Sequence, residues 1–139
     1  MNRYTLLFCL LICLVAVVGC GKNARLTGKV TFTDGALATS GTVCFRTDKF
    51  MARGEIKSDG SYTMSSEGTN DGLPPGEYQV YVQGIFEMPA GQTPQNPNQM
   101  VLPVLMYDPK YGDPETSGLT CKVPAPGNKF DIVLERLQK

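Results

Sequence analysis

Carboxylates are the side chains of this sequence that could catalyse a hydrolysis, because the chain contains no histidine. Without histidine there is no Ser-His or Cys-His nucleophile pair and no imidazole ligand for zinc. Asp59 and Glu77 could act as a general acid and base, but both lie at predicted turns, where Asp commonly bonds to the backbone. The sequence therefore predicts no catalytic residue, no cofactor and no enzymatic activity.

A second group of carboxylates lies in residues 107–120, where Asp108, Asp113 and Glu115 could bind a cation. Their spacing lacks the fixed ligand positions and the glycine of an EF-hand loop. Two prolines restrict the path of this stretch, and its Ser and Thr hydroxyls are typical of turn caps. We expect a structural role, with Tyr111 packed on the fold, and we predict no metal site.

The N-terminal segment carries the most specific chemical pattern. Met1-Asn2-Arg3 provides one positive charge, and an apolar run extends from Leu6 to Val18. The run is shorter than the ~20 apolar residues of a membrane span and has the length of the apolar region of a signal peptide. We expect residues 1–19 to be a cleaved signal peptide. An uncleaved membrane helix and ordinary secretion with cleavage elsewhere are the alternatives.

The end of this run, Val17-Val18-Gly19-Cys20, resembles the bacterial lipoprotein box. The resemblance implies cleavage between Gly19 and Cys20 and attachment of acyl chains such as palmitate to Cys20, with residues 20–25 as a tether. More than one chain is needed for stable anchoring, since each buried CH₂ contributes about 0.8 kcal/mol. It also implies a lipid-anchored protein of the cell envelope. The outer membrane is favoured over the inner one because Gly21, and not an acidic residue, follows the cysteine.

Two cysteines remain in the predicted mature chain, Cys44 and Cys121. An oxidising compartment would allow a disulfide between them. Val43 and Phe45 have the pattern of inward residues, so Cys44 would point outward, whereas Cys121 shares the inward face of its segment. Because Cβ vectors that point apart cannot be bridged, the disulfide is left open but is not expected.

Apolar and polar residues alternate with period two from Leu26 onward, and turn residues separate the alternating segments. No part of the mature chain shows helical spacing. Many short strands of this kind favour one all-β antiparallel sandwich over residues 26–139. The seven predicted strands are Leu26–Thr33, Gly41–Arg46, Ala52–Lys57, Tyr62–Met64, Gly76–Ile85, Leu119–Val123 and Lys129–Leu134.

The stretch from Lys57 to Val82 shows the alternation most clearly. Asp59-Gly60 is a tight-turn pair before a short strand, and Pro74-Pro75-Gly76 is a turn before a longer one. In the longer strand, alternate residues from Tyr78 to Val82 share one face, which we expect to be buried. We expect the two strands to form a hairpin-like pair.

Four segments resemble the carboxypeptidase regulatory-like, or transthyretin-like, domain: Gly28-Lys29-Val30-Thr31, Gly41-Thr42-Val43-Cys44-Phe45, Asp59-Gly60-Ser61-Tyr62 and Pro75-Gly76-Glu77-Tyr78-Gln79-Val80. The likeness covers nearly all of the mature chain and is strongest to short bacterial lipoproteins with one such domain. It departs from the family at Asp34-Gly35, which lacks a following Lys-Pro. The resemblance implies a seven-stranded Ig-like β-sandwich that serves as an accessory, binding or spacer module.

The sequence thus favours a non-enzymatic envelope module with a structural, accessory or interaction role, whose partner is an envelope protein or polysaccharide. The formal net charge is zero and the Lys and Arg residues are scattered, which excludes a basic face for nucleic acid. The Pro-rich segment Phe86–Met100 is expected to be a loop, and the oligomeric state is not indicated. The alternative function is glycan or peptide binding through tyrosines exposed on the sandwich, namely Tyr62, Tyr81, Tyr107 and Tyr111.

Overall fold

The computed structural model describes residues 22–66, 68, 71–88 and 100–137. The predicted signal peptide, Gly19 and Cys20 lie outside these residues, as does most of the predicted loop. None of the described segments forms a helix with the length and hydropathy that a membrane span requires. The described strands are β1 (Thr27–Phe32), β2 (Thr42–Arg46), β3 (Met51–Glu55), β4 (Ser61–Thr63), β5 (Gly76–Gln83), β6 (Phe86–Glu87), β7 (Val104–Leu105), β8 (Leu119–Val123) and β9 (Ile132–Leu134).

The strands form two main sheets, ordered β4-β1-β9 and β3-β2-β5-β8, and a small third sheet of β6 and β7. Each of the seven predicted segments overlaps a strand, and the structure adds β6 and β7, so the all-β prediction is confirmed while the number of strands is not. The prediction of a wholly antiparallel arrangement is wrong, because β1 and β9 are parallel.

The parallel pair arises from the way in which the chain changes sheets. After β8 the chain turns through a 3₁₀ segment at Pro126–Asn128 and enters the other sheet beside the start of β1. The Phe130 backbone N–H donates to the Thr27 carbonyl oxygen at 2.9 Å, which fixes this entry. Both strands therefore start at the same end of the sheet and run in the same direction.

The expected hairpin of the fourth and fifth predicted strands is also wrong. β4 pairs with β1, whereas β5 pairs with β2 and β8. The segment between β4 and β5 crosses from one main sheet to the other, and Leu73 within it pairs with Ala24. Two turn signals in succession thus mark a crossing between sheets and not a tight connection.

The core lies between the two main sheets and contains the residues that the alternation places inward. Tyr78, Val80 and Val82 of β5 are buried, as expected, and belong to one apolar cluster with Val30 of β1 and Ile132 of β9. Burial of such a side chain contributes about 1.5–3 kcal/mol. Because a shift of one residue would expose the whole set, this burial fixes the register of each strand.

We call the two ends of the molecule the N-terminal pole and the distal pole. β1 and β9 begin at the N-terminal pole, where Ala24 and Leu73 exchange backbone hydrogen bonds of 2.8 and 2.9 Å. β5 also begins there, at Gly76, three residues after Leu73. These strands end at the distal pole, which holds the turn at residues 33–35 together with β6 and β7.

Candidate functional site

The two carboxylates considered for hydrolysis are not brought together. Asp59 lies in the turn between β3 and β4, where it accepts hydrogen bonds from the Ser61 hydroxyl at 2.6 Å and the Ser61 backbone N–H at 3.0 Å. The hydroxyl bond, followed by the backbone bond, lowers the pKa of Asp59. Glu77 lies at the other end of the fold, in β5, opposite Lys122 of β8.

The carboxylates of residues 107–120 support local turns. Asp108 accepts a hydrogen bond from the Lys110 backbone N–H at 3.0 Å and caps the 3₁₀ turn Pro109–Gly112. Asp113 accepts one from the Glu115 backbone N–H at 2.7 Å. Nowhere in the described part of the chain do three or more Cys, Asp or Glu side chains gather in a way that could hold a metal ion.

Two hydroxyl groups of the same stretch complete the edge of β5. β8 pairs with β5 only as far as Val80. At that point the Ser117 hydroxyl donates to the Val80 carbonyl oxygen at 2.6 Å, and the Tyr107 hydroxyl donates to the Val82 carbonyl oxygen at 3.1 Å. Side chains thus provide the hydrogen bonds that a longer β8 would have provided, since buried carbonyl groups need a partner.

The four tyrosines proposed as exposed binding residues are all buried, so that expectation is wrong. Their exposed fractions are 1% for Tyr62, 7% for Tyr81, 4% for Tyr107 and 7% for Tyr111. The Tyr62 hydroxyl donates to the Phe130 carbonyl oxygen, and burial raises the pKa of Tyr62. A phenol is stable inside a protein when its hydroxyl reaches an acceptor in this way. These rings offer no surface on which a sugar could stack.

The free thiols Cys44 and Cys121 are also buried. Cys121 belongs to the core cluster. Cys44 lies on the opposite side of its sheet, paired in register with Tyr81, yet it is fully buried and not exposed as an outward residue would be. Burial raises the pKa of both thiols, and a hydrogen bond with Tyr81 partly offsets this at Cys44. Buried thiols with raised pKa are poor nucleophiles.

A groove of about 760 Å³ lies at the distal pole. It is bounded by the turn after β1, the β6–β7 pair and the segment after β9. We call it the distal groove and define it by Asp34, Val104, Leu105, Arg136 and Leu137. Its volume lies within the range of pockets that bind small ligands.

Arg136 brings a cation to the distal groove. Its Nε atom lies 2.8 Å from an Asp34 carboxylate oxygen, and its guanidinium carbon lies 4.3 Å from the centre of the Phe32 ring. The buried Nε makes no hydrogen bond of good geometry, so the contact with Asp34 is an ion pair only. Arg136 also lines a smaller cavity of about 220 Å³, so the two cavities share this side chain.

Exposed apolar side chains surround these cavities. Leu37 is 42% exposed, Phe86 49%, Val104 42% and Leu137 41%. We call these four residues the apolar rim. Apolar groups that are exposed together, with charged residues among them, are typical of interaction sites.

The residue patterns of the sequence do not indicate the distal groove. Asp34 has the pattern of a turn residue, Arg136 follows the last predicted strand, and β6 and β7 have only two residues each. One signal was available, since the segment from Met100 to Met106 is apolar apart from Pro103. An apolar segment of this kind indicates contact with the fold or with a partner.

The candidate polar side chains therefore serve the fold, whereas the apolar rim is available for contact with another molecule. Asp59, Asp108 and Asp113 support turns, and the Tyr107 and Ser117 hydroxyls bind the edge of β5. The apolar rim is exposed. No family model, no curated protein and no solved structure matches this chain.

Proposed function

We propose that this protein is a non-enzymatic module, anchored in the bacterial cell envelope by acyl chains on Cys20, with a structural, accessory or interaction role. The observation that carries the proposal is the position at which the fold begins. Ala24 is already hydrogen-bonded to Leu73, four residues after the cysteine of the lipoprotein-like ending. A signal peptide, a lipidated cysteine and one β domain would then follow each other directly.

The local roles of the polar side chains support a non-enzymatic function. A general acid or base must be within hydrogen-bond reach of a reacting group. Asp59, Asp108 and Asp113 instead accept bonds from backbone N–H groups within two residues of themselves. A structural role in turns therefore explains why these three positions carry Asp.

The proposed fold assignment is an Ig-like, transthyretin-like sandwich. It is supported by the two main sheets of three and four strands and by the apolar core between them. β6 and β7 are an addition at the distal pole, where they form the groove.

Replacement of Cys20 tests the anchor. In Cys20→Ala, we expect no incorporation of an alkyne-labelled fatty acid, and either an unprocessed precursor or release of the protein from membranes. Cys44→Ala is the matched control, because it removes a buried thiol and leaves labelling unchanged. Undiminished labelling of Cys20→Ala would contradict the proposal.

A second candidate function is the binding of an extended peptide with apolar side chains, and the distal groove favours it. The rim is apolar, while Arg136 and Asp34 place opposite charges within it. A glycan is disfavoured, because the tyrosines on which it would stack are buried. Peptides fit such grooves by placing a few apolar anchors in desolvated contacts.

Two exposed valines provide the test of peptide binding. With a photo-crosslinking residue at Leu37, we expect capture of one peptide segment of an envelope protein, identified by mass spectrometry. Val104→Asp in the rim should reduce capture about tenfold. Val133→Asp changes a residue that is 53% exposed on β9, outside the rim, and should have no effect. Equal capture by both variants would reject this function.

A further inference from the structure

The chain between the proposed acylated residue and the fold is short. Cys20 and Ala24 are four residues apart. An extended chain spans at most about 3.5 Å per residue, so Ala24 lies within about 14 Å of Cys20. The acylated residue is thus limited to the immediate surroundings of the N-terminal pole.

The junction at Ala24 is firmly built into the fold. Ala24 and Leu73 exchange two backbone hydrogen bonds, of 2.8 and 2.9 Å. Gly72, with a φ of 75°, allows this approach, because a Cβ atom there would lie 2.5 Å from the Ala24 carbonyl oxygen. Lengthening the tether would require both hydrogen bonds to break.

We propose that acylation of Cys20 holds the N-terminal pole against the lipid headgroups, so that the distal groove faces away from the membrane. This inference rests on the proposed function. The headgroup layer is about 6 Å thick on each side of a bilayer and takes up much of the tether. β5 runs from one pole to the other. It has eight residues, so the two poles are about 27 Å apart. The surface next to the headgroups is therefore that of the N-terminal pole.

Charge does not explain this orientation, because the N-terminal pole carries both signs. Lys129 pairs with Asp131 at 3.1 Å. The short tether would therefore set the orientation. We expect this orientation to persist at high salt, where attraction between exposed charges is screened. The other charged residues of this pole include Lys22, Arg25 and Lys49 as bases and Asp48, Asp71 and Glu77 as acids.

Two lysines at opposite ends of β3 allow a matched measurement. Lys49 lies in the turn before β3, at the N-terminal pole, and Lys57 lies in the turn after it, at the distal pole; both are exposed. Lys49→Cys and Lys57→Cys are each labelled with a donor dye in the acylated protein, since Cys44 and Cys121 are buried. Energy transfer is measured to acceptor-labelled headgroups in vesicles of phosphatidylethanolamine and phosphatidylglycerol.

We expect clearly greater transfer from position 49 than from position 57, at low and at high salt. Insertion of about 20 Gly and Ser residues after Asn23, which gives a flexible reach of about 25 Å, should abolish the difference. Equal transfer from the two positions without the insertion would overturn the orientation and leave the anchor intact. If the protein is recovered from bacterial membranes with Cys20 unmodified, both proposals are overturned.

Discussion

The Tyr62 side chain is buried in the core, and its hydroxyl makes one hydrogen bond there. Its side chain is 1% exposed, and the hydroxyl donates to the Phe130 carbonyl oxygen. Tyr62→Phe removes the donor and leaves the partly buried Phe130 carbonyl group without this partner. We expect the free energy of unfolding, measured in urea, to fall by about 1–2 kcal/mol.

Tyr81→Phe is the control for this prediction. The Tyr81 hydroxyl lies 3.4 Å from the sulfur of Met51 and also interacts with the Cys44 thiol, and sulfur is a weak hydrogen-bond partner. We expect a smaller loss of stability in this variant. If the two variants lose the same free energy, the Phe130 carbonyl group is not the reason that Tyr62 is held in the core.

The alternation of residues predicts the environment of aliphatic side chains better than that of tyrosines. Val80 has one favourable environment, and its burial was predicted correctly. A phenol is apolar with a polar tip, so its environment depends on whether an acceptor is near. For Tyr62 that acceptor is 68 residues away in the chain, and no local pattern contains it. The prediction of a binding site made of exposed tyrosines was wrong for this reason.

Gly28 is the residue on which the contact between β1 and the start of β9 depends. A Cβ atom at this position would lie within van der Waals overlap of the Phe130 carbonyl oxygen, at 1.9 Å. Because that contact is with backbone, it cannot be relieved by a rotamer change. We expect Gly28→Ala to lower the free energy of unfolding by about 3 kcal/mol or to prevent cooperative unfolding.

Gly76→Ala is the matched control, since Gly76 also lies in a strand. A Cβ atom there would lie 3.7 Å from the Tyr78 ring, an ordinary contact. We expect its change in stability to be under about 1 kcal/mol. A Gly28→Ala variant as stable as Gly76→Ala would show that β1 and β9 do not approach each other as described.

Strand positions could be predicted from the sequence, but their partners could not. Alternation is a property of one strand, and all seven predicted segments overlap strands of the structure. The pairing of strands depends on where the chain crosses between sheets. This is why the predicted hairpin of β4 and β5 was wrong. β6 and β7 are too short to show any period. The distal groove, which they help to form, was missed with them.

The molecule as a whole keeps several ionisable groups buried in their neutral form. Burial raises the pKa values of Cys44, Cys121 and Tyr107, and it raises that of Tyr62 strongly. In the unfolded chain these thiols and phenols have ordinary pKa values of 9.0 and 10.0. Their contribution to stability is therefore complete below about pH 9 and decreases as the pH rises further, because only the unfolded chain then releases the protons.

Urea unfolding at a series of pH values from neutral to about pH 11 tests this prediction. We expect a constant free energy of unfolding up to about pH 9, followed by a decline that steepens above pH 10 as the phenols join the thiols. Tyr62→Phe should decline less steeply above pH 10 than the unaltered protein, although it is less stable at neutral pH. Parallel curves for the two proteins would mean that the phenol of Tyr62 ionises as readily in the folded protein as in the unfolded chain, which its burial should prevent.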